Sequence, residues 1–350
     1  MMKTAVIVTV YKRYNYVNEA INSVLHQTVL PDQIVVVTDN TKIIENSQNF
    51  HNLTTIEANY PDYGKKIVQA INSLDDDIDI VFFLEDDDIF DKYKIEYIKR
   101  IFERNNNLVM IHNLQKYIDI NGKEINNSFT KSIEETQPQE DTIINLDNIF
   151  VLINRYPFLG FNISSMSIKK DILDKYKNFI NELKIMLDTS LLFISVLEGN
   201  VLHISNRLTY FRIGSGISSY GNITNYTDFL KNQHKIICLQ NKILEDLRKL
   251  YKIVKNYESC RKIVERGILI HETDLYLLNN YFNCDYKAST SSYTSLLFRC
   301  IKYLFNNEIS LSEFIIYMAK LNLPLIYGKK KSSELILKRR FKQILELNTK

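Results

Sequence analysis

The sequence contains no Trp, only nine Gly and five Pro, and four Cys that form no C-x-x-C pair. The scarcity of Gly and Pro excludes collagen-like and linker-like chains, and the Cys spacing argues against a zinc or redox motif. The absence of a G-x-G-x-x-G segment argues against a dinucleotide-binding dehydrogenase. No apolar run reaches the roughly 18 residues of a membrane span, and the apolar start at 5–8 is too short for a secretion signal. We therefore expect a cytoplasmic protein.

The residues that are present have the balance of an ordinary globular protein. Of 350 residues, 45% are hydrophobic and 24% are charged, and this length predicts about two domains. The net charge of +3 hides an uneven distribution, because residues 231–350 hold 22 Lys and Arg but 11 Asp and Glu. A basic C-terminal part indicates an anionic partner, a membrane surface or a nucleic acid, or else a solvated Lys-rich helical face.

Short β-branched runs alternate with amphipathic segments in the first hundred residues, which predicts an α/β fold with a mostly parallel sheet and helices on both faces. The predicted strands are 4–10, 34–37, 53–56 and 80–84, and the helices between them are 17–25 and 67–74. Further along we expect strands at 108–114, 117–120, 163–168 and 201–204, a hairpin turn at 121–122 and a polar loop over 126–142. From about 226 the spacing predicts helices to the end.

An acidic run, Glu85-Asp86-Asp87-Asp88, follows the predicted strand 80–84. Four adjacent carboxylates repel one another unless a cation lies among them. Oxygen ligands of this kind suit Mg²⁺ or Mn²⁺, which are commonly shared with substrate phosphates. The alternative is a solvated acidic turn before the next helix.

Several segments in a fixed order resemble the family 2 glycosyltransferases over about residues 4–220. They are 6–13 and 34–40 at the start, 83–88, which resembles the D-x-D motif, 187–192, which resembles the E-D motif, and 208–213 with Ser218, which resembles the late Y-R-x-H…S segment. The resemblance implies a GT-A fold and an inverting transfer from a nucleotide sugar, with a UDP-sugar favoured. On that basis we expect a catalytic domain over 1–225, with a nucleotide-sugar half (1–105) and an acceptor half (106–225), and a helical basic region over 226–350.

The resemblance also implies roles for the matched residues. Those expected to bind the donor are Thr9, Tyr11, Arg13, Asp39, Lys66, Asp86 and Arg212. Asp87 and Asp88 are expected to hold Mn²⁺ or Mg²⁺, and Asp188 is expected to be the general base that takes the proton of the acceptor hydroxyl. A helix N-cap is the alternative for Asp188, and a solvated helix start is the alternative for Lys66.

The sequence departs from the family pattern at several positions. Thr9 replaces the usual Pro, Thr38 the first Asp after the second strand, Glu85 the first Asp of D-x-D, Leu187 the Glu before the base, and Gly214 the late His. Arg212 or Arg207 would have to compensate for that His. The absence of Trp excludes the Q-x-x-R-W motif of processive synthases, so we expect transfer of a single sugar.

The acceptor is expected to bind around 158–165, where Phe161, Asn162 and Ser164 combine an aromatic ring with small polar groups. A buried strand with a Gly turn is the alternative there. The expected acceptor is a glycan, a lipid-linked glycan or a protein, and no nucleic acid partner is expected. A sugar nucleotidyltransferase would need a Gly-rich loop after the first strand, which is absent. A catalytically decayed nucleotide-sugar-binding or scaffold protein remains an alternative.

The last segment, 328–345, has the pattern of a basic amphipathic helix. Leu337, Phe341 and Ile344 share one face, while Lys338 and Arg339 lie mostly off it. Such helices bind anionic bilayers, so we expect peripheral contact with the inner face of the membrane. The alternative is a helix packed on its predecessors with its basic side in water.

Overall fold

The computed structural model describes residues 2–44, 52–215, 225–282 and 292–348. The chain divides into two compact units, Met1–Gly216 and Ile217–Lys350, here called unit 1 and unit 2.

The described part of unit 1 contains one mixed sheet of nine strands. The strands are β1 (Thr4–Val10), β2 (Gln33–Thr38), β3 (Leu53–Glu57), β4 (Ile80–Glu85), β5 (Ile89–Phe90), β6 (Leu108–Ile118), β7 (Thr142–Ile144), β8 (Met166–Lys169) and β9 (Asn200–Arg212). Their order is β3-β2-β1-β4-β8-β6-β9-β5, with β7 paired to β9. The β3-β2-β1-β4 half is parallel, as the strand–helix alternation predicts, and β8 joins the two halves through antiparallel pairs.

Eight helices accompany this sheet in the described residues. They are α1 (Val17–Leu25), α2 (Tyr63–Ile71), α3 (Lys94–Arg104), α4 (Ser128–Glu134), α5 (Ile149–Arg155), α6 (Lys170–Lys175), α7 (Lys177–Glu182) and α8 (Leu187–Glu198). The β1 strand is buried throughout, and one side of the sheet packs with the apolar faces of α1 and α3 into a continuous core. This burial on both faces explains why the central strands read as unbroken β-branched runs.

Two local predictions were wrong. The stretch 126–142 is not a continuous loop, because α4 forms there with a capping box in which Asn127 and Thr130 satisfy each other's backbone N–H groups. The segments predicted as two strands are one long strand, β6, which runs to Ile118. The turn at 121–122 follows it, with Gly122 at a φ of 80°.

Unit 2 is helical in its described residues, as predicted. Its helices are α9 (Tyr226–Val254), α10 (Glu258–Phe282), α11 (Tyr293–Phe305), α12 (Leu311–Tyr327) and α13 (Lys329–Asn348). A core cluster joins α10, α11 and α12 around Leu269, Leu296 and Leu321.

Candidate active site

Three parallel strands of unit 1 end side by side where polar residues collect. The pairing of β1 with β4 sets Thr9 opposite Glu85, and its pairing with β2 sets Val10 opposite Thr38. Asp39 follows β2 directly. Ligands of open α/β sheets bind beyond the carboxyl ends of the strands, so this edge is the natural place for a ligand.

Arg13, just after β1, forms ion pairs with two members of the acidic run. Its Nη2 lies 2.5 Å from Asp86 Oδ1 and its Nη1 lies 2.6 Å from Asp87 Oδ2. The two aspartate side chains are only 3% and 8% exposed, whereas the arginine side chain is 35% exposed. Burial opposes the charge of Arg13, but the neighbouring carboxylates raise its pKa overall. The guanidinium is therefore a fixed positive charge at the open side of the acidic run.

The acidic run still carries more negative charge than one arginine neutralises. Burial raises the pKa of Asp86 to about 7, although Arg13 acts in the opposite direction. Burial, followed by the charge of Asp87, raises the pKa of Asp88 to about 7. Burial, followed by the charges of Asp87 and Asp88, raises the pKa of Glu85 well above its ordinary value. A further cation at this site would favour the charged forms of these carboxylates, which burial and mutual repulsion disfavour.

Asp88 is turned into the fold. Its Oδ2 accepts a hydrogen bond from Asn162 Nδ2 at 3.0 Å, and its Oδ1 accepts one from the backbone N–H of Arg212 at 3.1 Å. With 1% of its surface exposed, Asp88 anchors the turn, and Asp87 is the better placed of the two for an incoming cation.

Arg212 is also buried, with 1% of its surface exposed. Its Nε donates to the backbone oxygen of Asp87 at 2.9 Å, and its Nη2 pairs with Glu19 Oε2 at 2.6 Å. Its guanidinium also lies 4.0 Å from the centre of the Tyr16 ring. Through these contacts Arg212 links the acidic turn to α1.

Lys66 on α2 is brought to the same place. It is 5% exposed, and its Nζ lies 3.9 Å from the centre of the Tyr11 ring. Burial lowers the pKa of Lys66 to about 8, while the charges of Asp86 and Asp39 act in the opposite direction. A second cation is thus held near the acidic run, on the nucleotide side of the predicted site.

Asp39 is partly exposed and is held by two donors from the loop after β1. Its Oδ1 accepts from the backbone N–H of Lys12 at 3.2 Å, and its Oδ2 accepts from the hydroxyl of Tyr14 at 3.0 Å. Lys12 adopts a φ of 56°, so this loop turns sharply where it approaches Asp39.

Tyr63 is a site residue that the sequence analysis missed. Its hydroxyl lies 3.1 Å from Thr9 Oγ1 and 3.4 Å from Glu85 Oε1. Gly64 permits this position, since its N–H donates to Leu183 O at 3.0 Å and a Cβ there would lie 1.8 Å from Ile180 O. The Gly before two lysines was visible in the sequence, but only the contact with α7 shows why it is there.

Asp188 lies in the first turn of α8 and is partly exposed. Its Oδ1 accepts the backbone N–H of Thr189 at 2.6 Å, and the backbone N–H of Asn162 also bonds to the carboxylate. Burial nevertheless raises the pKa of Asp188 above its ordinary value. Asn162, which also donates to Asp88, links Asp188 to the acidic run. The bond to Thr189 has no N-cap geometry, because Met186 is the N-cap residue.

The predicted acceptor residues differ in their accessibility. Asn162, with a φ of 71°, bridges Asp88 through its side chain and Asp188 through its backbone. Ser164 is fully buried, and its Oγ accepts the backbone N–H of Glu85 at 3.0 Å. Phe161 is partly exposed, and its ring stacks on Phe158 with centroids 5.4 Å apart. The aromatic pair is therefore the accessible part of this segment.

A buried lysine, Lys94, was also missed. Its Nζ donates to the backbone oxygen of Ser164 and to Thr209 Oγ1. Burial lowers its pKa well below the ordinary value. The hydrogen bond to Ser164 ties Lys94 to the segment that carries Asn162.

The structure thus brings together most of the predicted donor, metal and base residues, while Ser218 lies outside the described residues. Within the described ranges, no group of three or more His, Cys, Asp or Glu side chains could hold a metal ion by itself. A site of one or two carboxylates completed by substrate phosphates is a usual arrangement for Mg²⁺, and Asp87 and Asp86 fit that arrangement.

None of the helices in the described ranges is long and apolar enough to cross a membrane.

Comparison with known proteins agrees with this geometry. Residues 5–176 match the model of the family described as glycosyl transferase family 2. An uncharacterized glycosyltransferase of Nostoc sp. is 26% identical over 223 residues, which is 61% of this chain. The match spans 65% of that curated relative, which is less than two thirds of its length.

Solved structures of residues 1–349 of TarS from S. aureus, one of them in complex with UDP, share the fold. Each has a TM-score of 0.54 and 16% identity, over 98% of this chain and 92% of the TarS chain. The sheet order, the site at its carboxyl edge and these matches lead to one conclusion. Residues 5–176 match glycosyl transferase family 2, and the fold of the chain is GT-A.

Proposed function

We propose that this protein transfers a single sugar from a nucleotide-diphosphate donor, with a UDP-sugar favoured, to a glycan, lipid-linked or protein acceptor, with inversion at the anomeric carbon. The observation that carries the proposal is the division of the carboxylates into two kinds. Asp86 and Asp87 are paired with a cation. Asp188 has no cationic partner among the contacts that act on its pKa.

The donor side is built from residues 1–105. Arg13 and Lys66 supply positive charge for a diphosphate, and Asp39 supplies carboxylate oxygens that can accept an N–H of a base such as uracil. Thr9 and Tyr11 line the same edge of the sheet. TarS, which shares the fold, has been solved with UDP, and this favours a uridine nucleotide here.

Asp87, with Asp86 beside it, would hold a divalent cation, Mn²⁺ or Mg²⁺. When bound, such an ion neutralises the charge that develops on a leaving diphosphate. The chain itself contributes Arg13 and Lys66 to the same electrostatic task.

On the acceptor side, Asp188 takes the proton from the acceptor hydroxyl as that oxygen bonds to the anomeric carbon. The bond from the anomeric carbon to the diphosphate breaks on the opposite face, so the configuration inverts. The raised pKa of Asp188 suits this role, because a general base works best when its pKa approaches the working pH. Asn162 contacts both Asp88 and Asp188 and so fixes the position of the general base relative to the acidic run.

A donor-hydrolysis assay with UDP-sugars and added Mn²⁺ or Mg²⁺, followed by an acceptor screen, tests this proposal. Slow release of UDP that accelerates with an acceptor supports it, and the anomeric configuration of the product tests inversion. UDP binding without hydrolysis or transfer to any acceptor would instead support the decayed binding protein.

A further inference from the structure

We propose that unit 2 docks on anionic lipid bilayers through the outer sides of α11 and α12 and the lysines at the start of α13, rather than through the apolar side of α13. This α11–α12 outer side is defined by Phe298, Ile301 and Phe305 on α11 and Leu311, Ile315 and Ile326 on α12. The docking does not depend on the proposed transfer activity.

The α11 contribution is a stripe of exposed apolar side chains. Phe298 and Phe305 are 70% and 81% exposed, and with Ile301 they follow the i, i+3, i+7 spacing of one helix side. The opposite side of α11 is buried in the core cluster through Leu296 and Cys300. Packing among the described residues of unit 2 therefore does not account for this apolar stripe.

The α12 helix repeats this arrangement. Leu311, Ile315 and Ile326 are 63%, 58% and 68% exposed, while Tyr317 and Leu321 are buried in the same core cluster as α11. Because both helices turn their buried sides toward one cluster, their exposed apolar sides both face outward. Isolated exposed apolar residues are common, whereas three exposed apolar side chains on one side of each of two helices that share a core cluster indicate an interaction surface.

Positive charge borders this surface. Lys302 is exposed on α11 between Phe298 and Phe305, and Lys329, Lys330 and Lys331 are exposed in the first turn of α13, directly after α12. Of the nearby carboxylates, Glu308 is 2% exposed, and Glu313 caps α12 through Ser310 and pairs with Arg266.

The same pattern holds across unit 2. Five of its acidic residues are buried, namely Asp246, Glu265, Glu272, Asp274 and Glu308. Each of them pairs with an Arg or Lys of unit 2, whereas the lysines that border the α11–α12 outer side are exposed.

An anionic bilayer accounts for both the exposed apolar side chains and the lysines that border them. Apolar side chains enter the headgroup region, and lysines interact with lipid phosphates. A second copy of the same surface would cover the apolar side chains, but it would bring the lysine clusters of two chains together, and these repel each other. Charge complementarity therefore favours the membrane over self-association.

The predicted membrane helix, α13, uses its apolar side differently. Leu337 is fully buried, and the Phe341 ring packs on Tyr226 and Phe229 with centroids 5.2 and 5.3 Å away. Arg340 pairs with Asp274 at 2.8 Å. These contacts favour the alternative considered for this helix, in which its apolar side packs on the preceding helices.

Cosedimentation of the full chain with vesicles made of equal parts phosphatidylcholine and phosphatidylglycerol tests the proposal. The protein should pellet at low salt, bind pure phosphatidylcholine vesicles less and be partly released by high salt. The Phe298→Gln/Phe305→Gln variant should bind at least about tenfold more weakly. The matched control Leu30→Gln/Val151→Gln, which changes two exposed apolar residues of unit 1, should bind like the wild type.

Charge is tested by a second matched pair. Lys329→Gln/Lys330→Gln should weaken binding by roughly tenfold or more. Lys338→Gln/Arg339→Gln, which removes the same charge from the middle of α13, further along the chain from α12, should have a smaller effect. Failure of the full chain to bind anionic vesicles at low salt, or unchanged binding of the Phe298→Gln/Phe305→Gln variant, overturns the proposal. Light scattering that shows an oligomer which this variant dissociates would identify the surface as a contact between copies, and would also overturn it.

Discussion

The Nη1 atom of Arg13 lies 2.6 Å from Oδ2 of Asp87, so the carboxylate expected to hold a metal already has a cationic partner from its own chain. Any divalent ion at Asp87 must share that carboxylate with Arg13. The guanidinium and the ion would then act together on a bound diphosphate, and the individual contributions of the two cations can be separated by mutation.

We predict that Asp87→Ala abolishes the metal-dependent part of UDP binding. Calorimetry of the wild type should show tighter UDP binding with Mn²⁺ than with a chelator, and the variant should show the same affinity in both. Asp76→Ala, which removes an exposed carboxylate on the loop before β4, is the control. If the wild-type affinity is itself unaffected by the chelator, Arg13 and Lys66 are the cations of the site.

Asp188→Asn should lower the transfer rate by about 100- to 10,000-fold. The amide keeps the shape of the side chain but cannot accept a proton. Because Asp188 is not expected to touch the donor diphosphate, the UDP affinity should stay near the wild-type value. Transfer at the wild-type rate would place the base elsewhere.

The rate of transfer should fall at acidic pH through the protonation of Asp188. Burial raises the pKa of this carboxyl above its ordinary value, and a base must be deprotonated to act. Activity is therefore present above the raised pKa and lost as the pH falls through it. The kcat profile should show this loss at a pH above about 4, the usual range of Asp. The Asp188→Asn variant should lack it, and the same acidic limb in that variant would assign the titration to another group.

Lys66→Met should weaken UDP binding about 10- to 100-fold, because a partly buried charge–phosphate hydrogen bond is lost. Lys65→Met is a matched control on the same helix turn. Lys65 is exposed and its Nζ lies 3.7 Å from Asp62, so its loss should change the affinity little. Equal effects of the two substitutions would mean that only the general positive charge of α2 matters.

Gly64→Ala should lower the free energy of unfolding by about 2 kcal/mol or more. The new Cβ would lie 1.8 Å from Ile180 O and 2.8 Å from Leu183 O, which are backbone atoms that cannot rotate away. Gly267→Ala is the opposite case, since its Cβ would meet Leu247 at an ordinary 3.6 Å. It should raise stability by up to about 1 kcal/mol through helix propensity. Thermal unfolding of both variants checks the pair, and an unaffected Gly64→Ala variant would show that α2 and α7 can separate.

The test of the active site and the test of the membrane surface have independent outcomes. Loss of vesicle binding in the Phe298→Gln/Phe305→Gln variant leaves UDP affinity unchanged if the two units act separately, and loss of transfer in Asp188→Asn leaves vesicle binding unchanged.

The sequence alone determined the alternation of strands and helices, the position of polar residues at the strand ends and the order of the family segments. These features are local, because a strand buried on both faces must be apolar along its whole length. Where local signals are weak, the sequence misled. The region of α4 reads as a polar loop because the capping box that starts the helix involves only Asn127 and Thr130.

Only the tertiary structure decided which side chains meet. Arg13 reaches carboxylates more than seventy residues away, Tyr63 enters the site because Gly64 lets α2 approach α7, and Asn162 joins Asp88 to Asp188. On α13, the helical periodicity correctly located the apolar side but could not show that Phe341 packs on α9. Periodicity specifies that an apolar side must be covered, whereas the covering partner is set by how distant helices pack.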